Sequence, residues 1–184
     1  MGRAHSEERR PAVKFFFFVF LIAQSVLASG IYAQNCRVIG DDYLKFEIEI
    51  QKIDFALKIT AFEDEDCQVP YLSYNQYFEI IDLQSENLNL KTKKVTYTAF
   101  SEEVASALRM INYCGFSEWQ LRTETEVAGK NCEGFIQLAR GQVFYQLIKL
   151  ENNVLKFGLI DENRDGRSVQ TRPVQFDDAQ YLLR

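Results

Sequence analysis

The stretch YLKFEIEIQKIDFALKI, residues 43–59, decides the fold. In its first half Leu44, Phe46, Ile48 and Ile50 alternate with Lys45, Glu47, Glu49 and Gln51. Successive side chains of a strand point to opposite faces, so Tyr43–Gln51 reads as a strand with one apolar and one wet face. Ile53, Phe55, Leu57 and Ile59 repeat the alternation after a short break. Two such runs in succession predict a hairpin.

The same rhythm continues outward. Further strands are expected at Tyr77–Leu83, Lys94–Phe100, Glu118–Thr123, Gln142–Leu150, Val154–Ile160 and Ala179–Leu183. Turn residues separate them, with Glu151-Asn152-Asn153 and Asp161–Gly166 the clearest cases. Pro173 cannot donate a ladder hydrogen bond and belongs at an edge or a strand start. One segment breaks the pattern. Ser101 is a candidate N-cap, Glu102 and Glu103 suit the positive end of a helix, and Val104, Leu108 and Ile111 share one face before Gly115. That predicts one helix of about three turns inserted among roughly eight strands. The expected fold is mainly β, a small antiparallel barrel, with a two-sheet sandwich as the alternative.

Upstream lies KFFFFVFLIAQSVLASGIYA, residues 14–33. Arg9, Arg10 and Lys14 precede an apolar run from Phe15 to about Ala28, and small residues follow at Ala28, Ser29, Gly30 and Ala33. This is the layout of an export signal. A spanning helix needs roughly 20 apolar residues. The run is shorter and broken by Gln24, which weighs against a retained anchor. Residues 1–33 are therefore expected to be a signal peptide and 34–184 a single domain, with no membrane span after cleavage. Cutting after Ala33 leaves Gln34 first, and cutting after Gly30 is the alternative. A lipidated cysteine is not expected, because Cys36 follows Ala33-Gln34-Asn35 rather than a run of small residues. The destination is the periplasm or the exterior.

Loss of the leader would take His5, the only histidine, and with it every imidazole-based catalytic arrangement. Residues 1–33 carry four Lys/Arg and two Glu, so the net charge would pass from −5 to −7. Such an acidic chain lacks the clustered cations that nucleic-acid phosphates require. The four cysteines, Cys36, Cys67, Cys114 and Cys132, all follow the leader. An even number in an oxidising compartment implies two bridges. Three pairings exist. Cys36–Cys67 with Cys114–Cys132 is favoured, each bridge closing a loop worth about 3–4 kcal/mol in the chain-entropy model. Zinc lacks both a CxxC spacing and a histidine.

The stretch Asn112-Tyr113-Cys114-Gly115-Phe116-Ser117-Glu118-Trp119, with Val127-Ala128-Gly129-Lys130-Asn131-Cys132, resembles a group of uncharacterised exported bacterial proteins with a lipocalin-like barrel. Asn153–Gly158, Asp165-Gly166, Arg172-Pro173 and Phe62–Cys67 followed by Pro70 carry the same resemblance. It implies a calycin-like barrel and the pairing of neighbouring cysteines, and it implies no activity.

Several residues are candidates for function. Asp161, Asn163 and Asp165 match the first half of a D-x-N-x-D-G calcium loop. The twelfth position is Arg172 where a bidentate Glu belongs, and a turn explains the same letters. Glu63–Asp66 gathers four carboxylates that read as a solvated acidic loop or a second weak calcium candidate. Tyr71, Tyr74 and Tyr77, among Ser73, Asn75 and Gln76, offer stacking and hydrogen bonding to a glycan or protein partner. Trp119 is a candidate for the floor of a barrel cavity, or else core. Paired carboxylates such as Asp41-Asp42 or Asp177-Asp178 are the only glycosidase-like signal, and no enzyme and no cofactor is expected. The expected function is non-catalytic binding of a small apolar or amphipathic ligand inside the barrel. The alternative is an adhesin-like envelope module recognising a protein or glycan.

Overall fold

The hairpin expected at residues 43–59 is present in the computed structural model, which describes residues 27–184. The first six strands are β1 (Gly30–Ala33), β2 (Arg37–Ile39), β3 (Asp42–Gln51), β4 (Asp54–Phe62), β5 (Pro70–Gln84) and β6 (Asn87–Ala99). An insertion follows, made of α1 (Glu102–Met110), a 3₁₀ turn (Tyr113–Gly115), β7 (Thr125–Glu126), β8 (Asn131–Cys132) and β9 (Phe135–Ile136). Strands β10 (Val143–Glu151), β11 (Val154–Phe157) and β12 (Tyr181–Leu183) complete the order.

The strands run β1-β12-β11-β10-β6-β5-β4-β3, and β1 pairs with β3 as well. That second pairing closes an eight-stranded antiparallel barrel, so the sandwich alternative does not hold. β2 extends β3 beyond the closed ring, and β7 pairs with β6. Register explains why the alternation matters. Ile50 faces Phe55, Ile48 faces Leu57 and Phe46 faces Ile59, so one apolar face of the hairpin turns inward. Asn152 and Asn153 hold positive φ in the two-residue turn between β10 and β11, a conformation Asn tolerates better than most residues.

Five expectations need correction. β6 starts at Asn87, well before the expected Lys94, because buried Thr92 interrupts the apolar alternation of Leu88 and Leu90. Glu118–Thr123 is not a strand. Leu121 makes only a lone bridge to Ala99, Arg122 has positive φ, and Trp119 is drawn into the core at 1 % exposure. β5 starts at Pro70, well before Tyr77, because inward Tyr74 and Gln76 and outward but buried Ser73 and Asn75 disguise the period. Bulges at Tyr77/Phe78 and Ile80/Asp82 disturb it further. β11 stops at Phe157 instead of Ile160. The helix is shorter than expected. Ser101 Oγ accepts from the Val104 N–H at 3.2 Å as an N-cap should, but the helix ends at Met110 and leaves Ile111 53 % exposed. Its buried contacts are Ala105 and Leu108.

Cys36 pairs with Cys67, and Cys114 with Cys132, as favoured. The first bridge ties the segment leading into β2 to the β4–β5 loop, and the second ties the 3₁₀ turn to β8. Two bridges fit an oxidising compartment. No helix among the described residues is long and apolar enough to cross a membrane. Residues 1–26, most of the expected leader, lie outside the described residues, whereas Gly30–Ala33 form the strand that closes the barrel.

Candidate ligand-binding cavity

The barrel interior divides into a filled region and a hollow one. The filled region is an aromatic plug. Tyr97 packs on Tyr74 at 4.9 Å between ring centroids, on Tyr113 at 5.5 Å and on Trp119 at 6.4 Å, and Phe116 meets Trp119 at 6.1 Å. The insertion supplies Tyr113, Phe116 and Trp119. Arg109 of α1 holds it in place by donating to the Trp119 carbonyl at 2.6 Å while also pairing with Glu102. Burial pushes the Tyr97 and Tyr74 phenols well above their ordinary range.

The hollow region is a cavity of about 520 Å³. Its wall is a belt of rings: Phe144 on Phe78 (5.9 Å, stacked), Phe78 on Phe55 (6.1 Å), Phe55 on Phe157 (5.8 Å) and Phe157 on Tyr181 (5.7 Å). Ile48, Leu57 and Leu90 add to the apolar surface. Small-molecule sites of this size, mostly apolar with a few polar groups, are the usual form of a pocket built for a ligand. An eight-stranded barrel is just wide enough either to be filled by side chains or to hold one small molecule. Here the belt strands leave space.

Charged and polar side chains line the rest. Arg37 from β2 lies over the Phe46 ring at 4.6 Å, and its buried Nε has no hydrogen-bond partner among the described residues. Arg167 lies over the Phe135 ring at 5.4 Å, donates to the Ile136 carbonyl and sits 3.6 Å from Asp165. Phe135, 60 % exposed, stands on the small β8–β9 hairpin that the Cys114–Cys132 bridge anchors. Asp161, Glu162 and Asp177 complete the charged lining. Deeper polar atoms are mutually satisfied: Gln76 Nε2 donates to the Tyr74 hydroxyl, and that hydroxyl donates to Gln137 Oε1, each at 2.8 Å. Burial pushes the Tyr181 phenol up to about 12.

The expected site residues scatter. Tyr74 faces inward and lines the cavity, while Tyr71 and Tyr77 face outward, since three-residue spacing on a strand alternates faces. Tyr71 donates to Asp42, and Tyr77 donates to Glu124 at 2.7 Å. Trp119 belongs to the plug and is not part of the cavity lining. Asp161 and Asp165 border the cavity on a turn, where Asp161 Oδ1 accepts from the Asn163 and Arg164 amides. The sharp turn needs Gly166, whose φ is +70° and where a Cβ would meet the Phe144 ring and the Tyr145 carbonyl at 2.6 Å. Asp64 of the acidic loop accepts from the Gln68 and Val69 amides, and these bonds, the Val69 bond foremost, hold its carboxyl below the usual range. No group of three or more His, Cys, Asp and Glu side chains converges on a metal position among the described residues.

A second depression, of about 490 Å³, lies on the outer wall around Tyr77. Its charges are paired with one another, Lys93 with Asp54 at 2.8 Å and Lys94 with Glu124. The interior cavity is the better candidate because its polar groups include one with no partner and its wall is apolar. Sequence reasoning missed Arg37 and the belt phenylalanines as site residues. The signal was present in part: Phe55, Phe144 and Phe157 fall on strands expected from alternation, on faces that only the closed register identifies as inward.

No protein-family model matches the chain, and no curated protein matches it.

Proposed function

We propose that this chain is an exported, non-catalytic barrel that binds one small apolar or amphipathic molecule. The observation that carries the reading is the cavity of about 520 Å³ with an aromatic wall and charged groups along one part of its lining. Burying apolar ligand surface against such a wall gains roughly 25 cal/mol per Å² removed from water. Arg37 and Arg167, with the nearby carboxylates, give a polar head group places to bond without entering the apolar part. The tyrosine triplet lends less to an adhesin-like role, since Tyr74 is turned inward and the Tyr71 and Tyr77 hydroxyls are engaged by Asp42 and Glu124.

Native mass spectrometry of the protein, purified without reduction from bacterial cells that export it, tests the proposal. The expected result is a reproducible added mass that denaturation releases. A bare protein in repeated gentle preparations, with no uptake from a panel of fatty acids, isoprenoids and aromatic amphiphiles, contradicts it.

A further inference from the structure

We infer that the exported chain is cut between Ala28 and Ser29, upstream of both positions that the small residues of the leader first point to. The inference rests on reading residues 14–33 as an export signal. Its support comes from what the barrel needs. Cleavage after Ala33 would remove all of β1, which pairs with β3 at four positions and with β12 at two. Tyr32, fully buried in the core, would leave with it. The barrel would open between β3 and β12 and expose two unpaired strand edges.

The small residues themselves separate into two kinds. Gly30 is small because of packing: a Cβ there would meet Leu183 Cδ1 at 2.6 Å. Ala33 is buried between the neighbouring strands. Both are explained by the folded domain. Ala28 is exposed and lies outside any strand, and what the domain takes from it is a backbone acceptor, the carbonyl that receives the Tyr32 hydroxyl at 3.0 Å, so packing does not account for its small side chain. It ends the triplet Val26-Leu27-Ala28, with a compact aliphatic residue three positions and Ala one position before the bond, as a leader cleavage site requires. Cutting after Gly30 is also disfavoured. It would remove the Gly30–Ile50 pairing and Ser29, whose Oγ accepts from the Lys52 amide at 3.4 Å.

The step is an amide hydrolysis by an envelope peptidase. Water gives its hydroxyl to the Ala28 carbonyl carbon and a proton to the Ser29 nitrogen, so the leader departs with a new carboxylate and the domain begins with a new ammonium. The test is the intact mass of the full reading frame expressed in a bacterial host, for the wild type and for Ala28→Leu. The expected wild-type species begins at Ser29, and Ala28→Leu loses that species while its exposed position leaves the barrel unaltered. A wild-type chain beginning at Ile31 or Gln34, or unchanged Ser29 processing in Ala28→Leu, overturns the site. A wild-type chain that keeps Met1 overturns cleavage of the leader itself, and the site with it.

Discussion

Two groups of aromatic side chains sit inside one barrel and do different work. Tyr97, Tyr113, Phe116 and Trp119 make a solid, with Tyr74 at its border with the cavity, whereas Phe144, Phe78, Phe55, Phe157 and Tyr181 form the wall of a void. Residue type does not separate them. The difference is the insertion between β6 and β10, whose Tyr113 and Trp119 pack on Tyr97 of β6 and whose Phe116 packs on Trp119, and which is itself fixed by Arg109 and the Cys114–Cys132 bridge. Against the belt the chain presents the Gly166 turn, whose lack of a side chain makes room for the Phe144 ring. An inward aromatic side chain thus becomes core or cavity wall according to what the chain's connections place in front of it.

Truncation should act unequally on the two groups. Trp119→Ala removes the centre of the plug and should cost about 3–5 kcal/mol in urea denaturation. Phe144→Ala, at the hollow wall, should cost about half of that or less, because part of its ring already faces empty space. Equal costs would mean that the wall is packed core. Replacing Cys114 and Cys132 together by Ala should lower stability by about 2–4 kcal/mol, since the bridge restrains both the plug and the hairpin carrying Phe135. The smallest effect belongs to the outer wall. Burial alone would raise the Glu124 carboxyl, but bonds from Lys94 and Tyr77 outweigh it and hold the group below its ordinary value of 4.5. A folded value below the unfolded one gives stability that is present above about pH 4.5 and lost as pH falls through the folded value. The urea midpoint of Glu124→Gln should therefore lie slightly below the wild type at neutral pH and converge with it in acid. A gap that persists in acid would assign Glu124 a role other than charge.

The contrast also marks what the sequence could and could not convey. Alternation over 43–59, the Asn152-Asn153 turn and the Ser101 cap are local signals, and each appears where its chemistry requires. The full length of β5 is not local. Gln76 reads as a polar interruption until the register shows it beside the Tyr74 hydroxyl inside the barrel. Trp119 sits in a stretch that alternates like a strand, yet long-range packing takes the stretch out of the sheet. The cavity was legible only as inward faces of expected strands. Its emptiness depends on closure by β1, a segment whose composition reads equally well as the tail of a leader. Arg37 gave no signal, because a single arginine after a cysteine acquires meaning only when β2 places it over Phe46.

The most direct test of the hollow interior is titration with an apolar fluorescent probe such as 1-anilinonaphthalene-8-sulfonate, for the wild type and for Leu57→Trp. Leu57 stands on the cavity wall between Ile48 and Gln76, so a larger ring there occupies the space a ligand would take. The expected result is saturable one-site uptake by the folded wild type and at least about tenfold weaker uptake by the variant at nearly unchanged stability, a loss of about 1.4 kcal/mol in binding. No uptake by the wild type, or equal uptake by both proteins, would contradict a ligand-binding cavity.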